Sequence, residues 1–262
     1  VKLFSRQYGQ GARKAVALHC SLAHSGAWKQ LASVLDRDLT ITAVDLPGHG
    51  QSPDWDGQGD LTDAVVEAVL PFLGEPVDLI GHSYGGVVAL RLAIEHPEKV
   101  RSLSLFEPVL MAVSSLDNPD EAAWNEGLMA EIDAELTKGD AEAAARLFMR
   151  VWGDGRRWAD LPRELRKGSA RRIGFIGSSR PAIDQDNRGL IPRLQAVSVP
   201  AVVMDGAQSP SLMKVVQDGI ARRLGNARRV TFDGLAHMGP ITHPHLVADE
   251  IRRTLAEATV AG

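Results

Sequence analysis

The sequence predicts an α/β fold, a mostly parallel, twisted sheet flanked by helices and carrying a helical insertion. Three observations predict it. Short apolar runs alternate with longer helical patterns, and most of the runs lack the polar alternation of a half-exposed strand, as expected for strands covered on both faces. The alternation then breaks between about Met111 and Leu190 and resumes at Val199. Composition agrees: of 262 residues, 44% are hydrophobic and 24% charged, near the globular average. A chain of this length can bury about 70–75% of its unfolded surface and needs no staples.

Taken in order, residues 2–8 alternate and read as an antiparallel edge strand. Residues 15–18 and 39–44 are apolar strands ending near Gly, His, Pro or Asp. Residues 61–73 place apolar side chains at 61, 65, 66, 69, 70 and 73, which is one helix face. Strand 77–80 leads into a small, aliphatic and therefore buried helix at 85–94, followed by strand 100–106. Strands separated by helices imply right-handed crossovers. Residues 111–190 hold no convincing strand, but helical runs at 119–136 and 141–152 and three of the five Trp residues (Trp124, Trp152, Trp158). Strands at 201–204 and 229–232 and a last helix reaching about Ala258 complete the chain. The expected division is a core of residues 1–110 and 191–262 and a helical cap of residues 111–190 roofing one end of the sheet.

Charge and motifs exclude several functions. With 29 basic and 33 acidic residues, the balance makes no electrostatic case for nucleic acid. No apolar run approaches the ~18 residues of a membrane span, and residues 1–6 lack a signal-peptide core. The expectation is a soluble cytoplasmic protein with a small-molecule substrate and no nucleic-acid or membrane partner; a homodimer is left open. The single Cys20 excludes an internal disulfide and a Cys-only metal cluster. No His-Glu-x-x-His or spaced carboxylate–His cluster is present, so neither metal nor cofactor is expected. The Gly-rich residues 48–52 lack the P-loop Lys and the dinucleotide spacing. The second half of the insertion is Arg-rich (Arg156, Arg157, Arg163, Arg166, Arg171, Arg172, Arg180) and the first half acidic. The ordinary reading is solvated helix faces attracting one another; the sharper one is steering of an anionic substrate.

The most informative segment is Gly81-His82-Ser83-Tyr84-Gly85-Gly86. It lies between a strand and a helix, the setting in which G-x-S-x-G exposes a serine nucleophile on a strained turn. The bland alternative is a serine that caps the helix. Three more signatures follow the same order: Leu18-His19-Cys20-Ser21-Leu22, Asp45-Leu46-Pro47-Gly48-His49-Gly50-Gln51-Ser52, and Gly234-Leu235-Ala236-His237. With these the chain resembles an α/β-hydrolase over nearly all of its length except the insertion. The resemblance is specific for fold and much less so for substrate.

A serine hydroxyl needs a base, and imidazole has the right pKa near 6.5. Of eight His residues, only His237 follows the last strand in a turn-rich segment before the final helix, and it is the expected base. His96, His243 and His245 lie at helix ends, His82 sits in the turn and is expected to point away from Ser83, and His49 belongs to the Gly-rich loop. The resemblance implies that His19 shapes the oxyanion loop at the substrate site. The third member departs from pattern, because Ser209 stands where the family usually has its Asp. Two acids remain: Glu107, directly after strand 100–106, where some family members carry theirs, and Asp205, at the end of strand 201–204. Glu107 is the expected acid and Asp205 the alternative. The resemblance implies an oxyanion hole from the backbone N–H groups of Tyr84 and Ser21, with Leu22 next to them, since such donors need no reorganisation as charge develops. Trp124, Met129, Phe148 and Trp152 are candidate walls of the substrate pocket, with ordinary core packing as the alternative.

The expected function is therefore a serine hydrolase, a carboxylic ester hydrolase working through Ser83, His237 and an acid on a small, largely apolar ester by way of an acyl-enzyme. Hydrolysis of C–C bonds in ring-cleavage diketones, hydroxynitrile lyase chemistry and cofactor-free perhydrolase activity use the same constellation. A hydrolase-fold sensor that only holds a ligand is a further alternative, motivated by the altered acid loop and by Cys20.

Overall fold

The computed structural model describes residues 2–260. Seven strands form one sheet: β1 (Ser5–Tyr8), β2 (Arg13–Leu18), β3 (Leu39–Val44), β4 (Val77–His82), β5 (Val100–Phe106), β6 (Ala201–Gly206) and β7 (Ala227–Phe232). Their spatial order is β1-β3-β2-β4-β5-β6-β7. Only β1 runs antiparallel, pairing Ser5 with Val44 and Tyr8 with Ile41. The other neighbours are parallel.

The missing polar alternation has a direct cause. Along β2, Val16 and Leu18 belong to the core on one face, while Ala15 and Ala17 belong to the core on the other. Successive strand residues point to opposite faces, so a strand buried on both must be apolar throughout. One face is covered by α2 (Leu61–Val69), α3 (Tyr84–Glu95) and α9 (Ser211–Arg223), and the other by α1 (Lys29–Val34) and α11 (Pro244–Val260). The helix expected to reach residue 73 stops at Val69 and tightens into a 3-10 turn, Leu70–Phe72, because Pro71 has no N–H to continue the ladder.

One charged group interrupts the apolar strands. Asp78 is buried in β4 and accepts from Arg13 Nε (2.6 Å), Arg101 Nη2 (2.9 Å) and Ser102 Oγ (2.6 Å). Burial alone would raise its pKa, but these donors hold the carboxyl below its usual range. The cluster ties β2, β4 and β5 together far from their carboxyl ends, where the site lies.

Between β5 and β6 the chain forms α4 (Ala112–Asp117), α5 (Pro119–Thr137), α6 (Ala141–Trp152), α7 (Arg163–Arg172) and α8 (Gly174–Ile183). Pro119 starts α5, where its missing N–H costs nothing. Asp140 caps α6 through Ala143 N at 2.8 Å. Opposite charges in the insertion pair off, among them Arg180 with Asp133 (2.9 Å) and Asp184 (2.8 Å). A short α10 (Gly239–Thr242) precedes α11. Among the described residues no helix is long and apolar enough to cross a membrane.

Candidate active site

Ser83 joins β4 to α3 at φ 56° and ψ −119°, a left-handed conformation that a residue with a Cβ holds only when its surroundings over-determine it. They do. Its N–H donates to Phe106 O (3.0 Å), and its carbonyl accepts from Gly86 N (2.9 Å). A Cβ on Gly85 would collide with the backbone carbonyls of Leu18 and His19, so only glycine lets α3 pack this close to β2. The Ser83 hydroxyl makes no cap bond to the helix it precedes, which removes the capping alternative and leaves the oxygen free. Leu22 (φ 65°) and Glu107 (φ 45°) share this unusual backbone, so three of the four non-glycine positive-φ residues among those described surround one site.

Glu107 follows β5 directly and is fully buried. Its Oε1 accepts from Gly206 N (2.9 Å) and Ser209 Oγ (2.6 Å), leaving Oε2 to accept from His237 Nδ1 at 2.6 Å. Ser209, standing where an Asp was expected, is thus a donor that helps hold the carboxylate. The His237 carbonyl in turn accepts from His82 Nε2 (2.8 Å). The residue before Ser83 therefore fixes the loop that carries the His237 imidazole, a contact the sequence did not suggest. Asp205, the alternative acid, is committed elsewhere. Both of its oxygens are taken by Arg229, at 2.8 and 2.7 Å.

The loops on the other side of Ser83 are laced by two neutral histidines. His19 donates from Nδ1 to Cys20 O (2.8 Å) and accepts at Nε2 from Leu46 N (3.0 Å). His49 donates from Nδ1 to Pro47 O (2.9 Å) and accepts at Nε2 from Leu22 N (3.0 Å). Burial pushes their pKa values down to about 4 for His19 and about 3 for His49. Both stay neutral near pH 7, as an imidazole that accepts an amide proton must. Asp45 completes the lacing by accepting from Ser25 N (2.5 Å) and Gln51 N (2.8 Å). Two expectations change. The Leu22 N–H is spent on His49 and is not an oxyanion donor. His19 faces the loops, not the cavity. The Ser21 and Tyr84 N–H groups meet no acceptor among the described residues. Burial pushes the Cys20 thiol up to about 12, far from a thiolate nucleophile.

Two adjoining cavities meet at Ser83. The inner one, about 50 Å³, is walled by Val109, Met111, Met129, Phe148, Trp152, Ile176 and Ile183, with Asn125, Arg180 and Asp184 among its polar members. The outer one, about 460 Å³, opens between the insertion and the loops at Cys20–Ala27. Ser21, Ser83, Phe148, Trp152 and His237 border both. Trp152 also packs edge-on against the His237 ring, with centroids 5.1 Å apart. Trp124 does not reach either cavity: it is 43% exposed and packs against the outer side of Trp152. A larger open groove of about 1120 Å³ beside α4 and α9 contains neither Ser83 nor His237.

Residues 15–250 match the Alpha/beta hydrolase family. The chain belongs to the alpha/beta hydrolase family. This hydrolase is similar to the pimeloyl-[acyl-carrier protein] methyl ester esterase of Aromatoleum aromaticum, 29% identical over 86% of this chain and 92% of the relative. It is also similar to the one from Chromobacterium violaceum, 28% identical over 98% of each. Lipase LipV of Mycobacterium tuberculosis is 32% identical over a shorter stretch, 59% of this chain and 57% of the lipase. Among solved structures, MenH from S. aureus superposes with a TM-score of 0.73 at 17% identity over 97% of this chain and 98% of that one. An alpha/beta hydrolase from Sphaerobacter thermophilus gives 0.71 at 21% over 97% and 96%. At those identities the structures speak for the fold alone.

Proposed function

We propose that this alpha/beta hydrolase is a carboxylic ester hydrolase in which Ser83 is the nucleophile, His237 the general base and Glu107 the orienting acid. The observation that carries the reading is the saturated Glu107 carboxylate. With Oε1 held by Gly206 and Ser209, Oε2 is left for the Nδ1–H of His237. That contact fixes the tautomer with a free lone pair on Nε2, on an imidazole bordering the same cavities as Ser83.

In the first half-reaction Ser83 Oγ attacks the ester carbonyl and its proton passes to His237 Nε2. The carbonyl oxygen becomes an oxyanion that the Ser21 and Tyr84 N–H groups are free to receive. Glu107 stabilises the imidazolium. Collapse breaks the C–O bond, His237 protonates the departing alkoxide, and an acyl-Ser83 remains. Water then gives its proton to His237 and adds to the acyl carbon; breakdown returns the proton to Ser83 Oγ and releases the acid. The apolar walls favour a small, largely apolar group in the inner cavity. The relatives named as esterases and a lipase support ester cleavage as the class of reaction.

p-Nitrophenyl esters of increasing acyl length, run on wild type and Ser83→Ala, test the reading. Turnover that is highest for short chains and falls to background in the variant supports it. Absence of turnover in the wild type, or its survival in Ser83→Ala, overturns it and leaves a ligand-holding protein.

A further inference from the structure

One guanidinium at the site makes no ion pair or hydrogen bond among the described residues. Arg172, at the end of α7, borders the outer cavity together with Ser83, Ser21 and His237. It is half-buried, its Nε is sealed from solvent, and none of its N–H groups finds an acceptor among the described residues. The other arginine on that cavity, Arg156, is bound to Asp154 at 2.8 and 2.6 Å. The exposed neighbour Arg171 has Asp54 at 3.6 Å. Burial and the nearby Arg171 charge disfavour the charged form of Arg172, and the Asp54 carboxylate, already facing Arg171, offsets them only in part. A guanidinium stays charged regardless, so this side chain sits partly desolvated, with a carboxylate near it but no hydrogen-bonded partner among the described residues.

A second group points the same way. Ser169 is fully buried and borders the same cavity, and its Oγ, sealed from solvent like Arg172 Nε, has no partner among the described residues. Residues three apart on a helix share a face, so Ser169 and Arg172 present an orphan hydroxyl and an orphan fork of donors side by side. Glu164 also borders this cavity, but it is exposed and lies eight residues earlier, about 12 Å along the helix axis.

We propose that Arg172 and Ser169 form an anion-binding subsite in the outer cavity, and that the esters cleaved at Ser83 carry a carboxylate or phosphate on the portion lying there, with a neutral apolar portion in the inner cavity. Arg suits either anion, because its planar fork matches two oxygens at once. The proposal rests on the esterase reading above and adds to it which end of the substrate is charged.

Matched pairs test it. The mono-p-nitrophenyl ester of glutaric acid is compared with its methyl-capped neutral counterpart, and acetylated glycerol phosphate with acetylated glycerol. The expected result is a kcat/KM at least about 10-fold higher for the charged member of one pair, as for a charge-assisted hydrogen bond. Arg172→Gln should erase most of that ratio, mainly through KM, whereas Arg171→Gln should preserve it. Which pair responds identifies the anion. Equal turnover of charged and neutral members by the wild type, or an equal loss on both in Arg172→Gln, overturns the subsite while the esterase reading stands. Calorimetry with glutarate and with methyl phosphate on wild type and Arg172→Gln decides the subsite even if no ester is turned over. Binding at least about 10-fold weaker in the variant supports it; equal or absent binding overturns it.

Discussion

Glu107→Gln probes the site at the point where geometry and protonation meet. The buried carboxylate accepts three hydrogen bonds, from Gly206 N, Ser209 Oγ and His237 Nδ1. Glutamine is nearly isosteric but has one acceptor oxygen and one donor nitrogen. The oxygen will stay where Gly206 N and Ser209 Oγ both donate, because turning the amide would set its NH2 against the Gly206 N–H. The NH2 then faces His237 Nδ1, which must become an acceptor, and the ring proton moves to Nε2. In the proposed mechanism that tautomer cannot take the proton of Ser83. The loss is that of a wrong-tautomer triad, about 10⁴ in kcat, or roughly 5–6 kcal/mol of transition-state stabilisation. The assay is steady-state hydrolysis of p-nitrophenyl acetate, with circular dichroism to confirm the fold. Asp205→Asn is the control. It breaks a buried pair with Arg229, which keeps Asp218 at 2.9 Å, so it should lower stability by about 3 kcal/mol and change kcat of the folded protein less than about threefold. A Glu107→Gln enzyme within tenfold of wild type, or Asp205→Asn as the slower variant, refutes the reasoning.

Three further outcomes follow from the same contacts. His82→Phe keeps an aromatic ring between Trp28 and Phe106 but loses the donor to the His237 carbonyl; kcat should fall by about 10- to 100-fold at nearly constant KM, as for a displaced base. His19 and His49 have pKa values depressed in the folded state to about 4 and about 3, so between those values and ~6.5 the unfolded chain binds more protons. Stability should therefore fall with decreasing pH by up to about 1.4 kcal/mol per unit for each histidine; denaturant melts from pH 7 to pH 4 will show it, and His49→Gln should flatten the slope. Gly85→Ala forces a methyl group into the Leu18 and His19 carbonyls, and should lower the thermal midpoint by the equivalent of about 3 kcal/mol or more.

The sheet was legible because burial on both faces leaves its mark on every strand residue, and the strand–turn–helix around Ser83 because glycine alone tolerates the close approach at Gly85. The partner of His237 was legible only as a pair of alternatives. What separates Glu107 from Asp205 is Arg229 on the neighbouring strand β7, which claims both Asp205 oxygens, and no local pattern announces that. Ser209 looked like a missing acid, yet in three dimensions it is a donor to Glu107. Leu22 and Ser21 differ as amide donors through a lone pair on His49, 27 positions away from Leu22. Trp124 and Trp152 are both large and apolar on the insertion, and only packing decides that Trp152 meets His237 while Trp124 covers its outer side.

The most direct measurement is peptide mapping by mass spectrometry after reaction with a fluorophosphonate. A serine made nucleophilic by His237 and Glu107 should carry a single phosphonyl adduct, on the peptide containing Ser83, formed much more slowly in Glu107→Gln and not at all in Ser83→Ala. An adduct on another residue, or an unmodified Ser83 in a protein that still hydrolyses esters, would contradict the assignment of Ser83 as nucleophile.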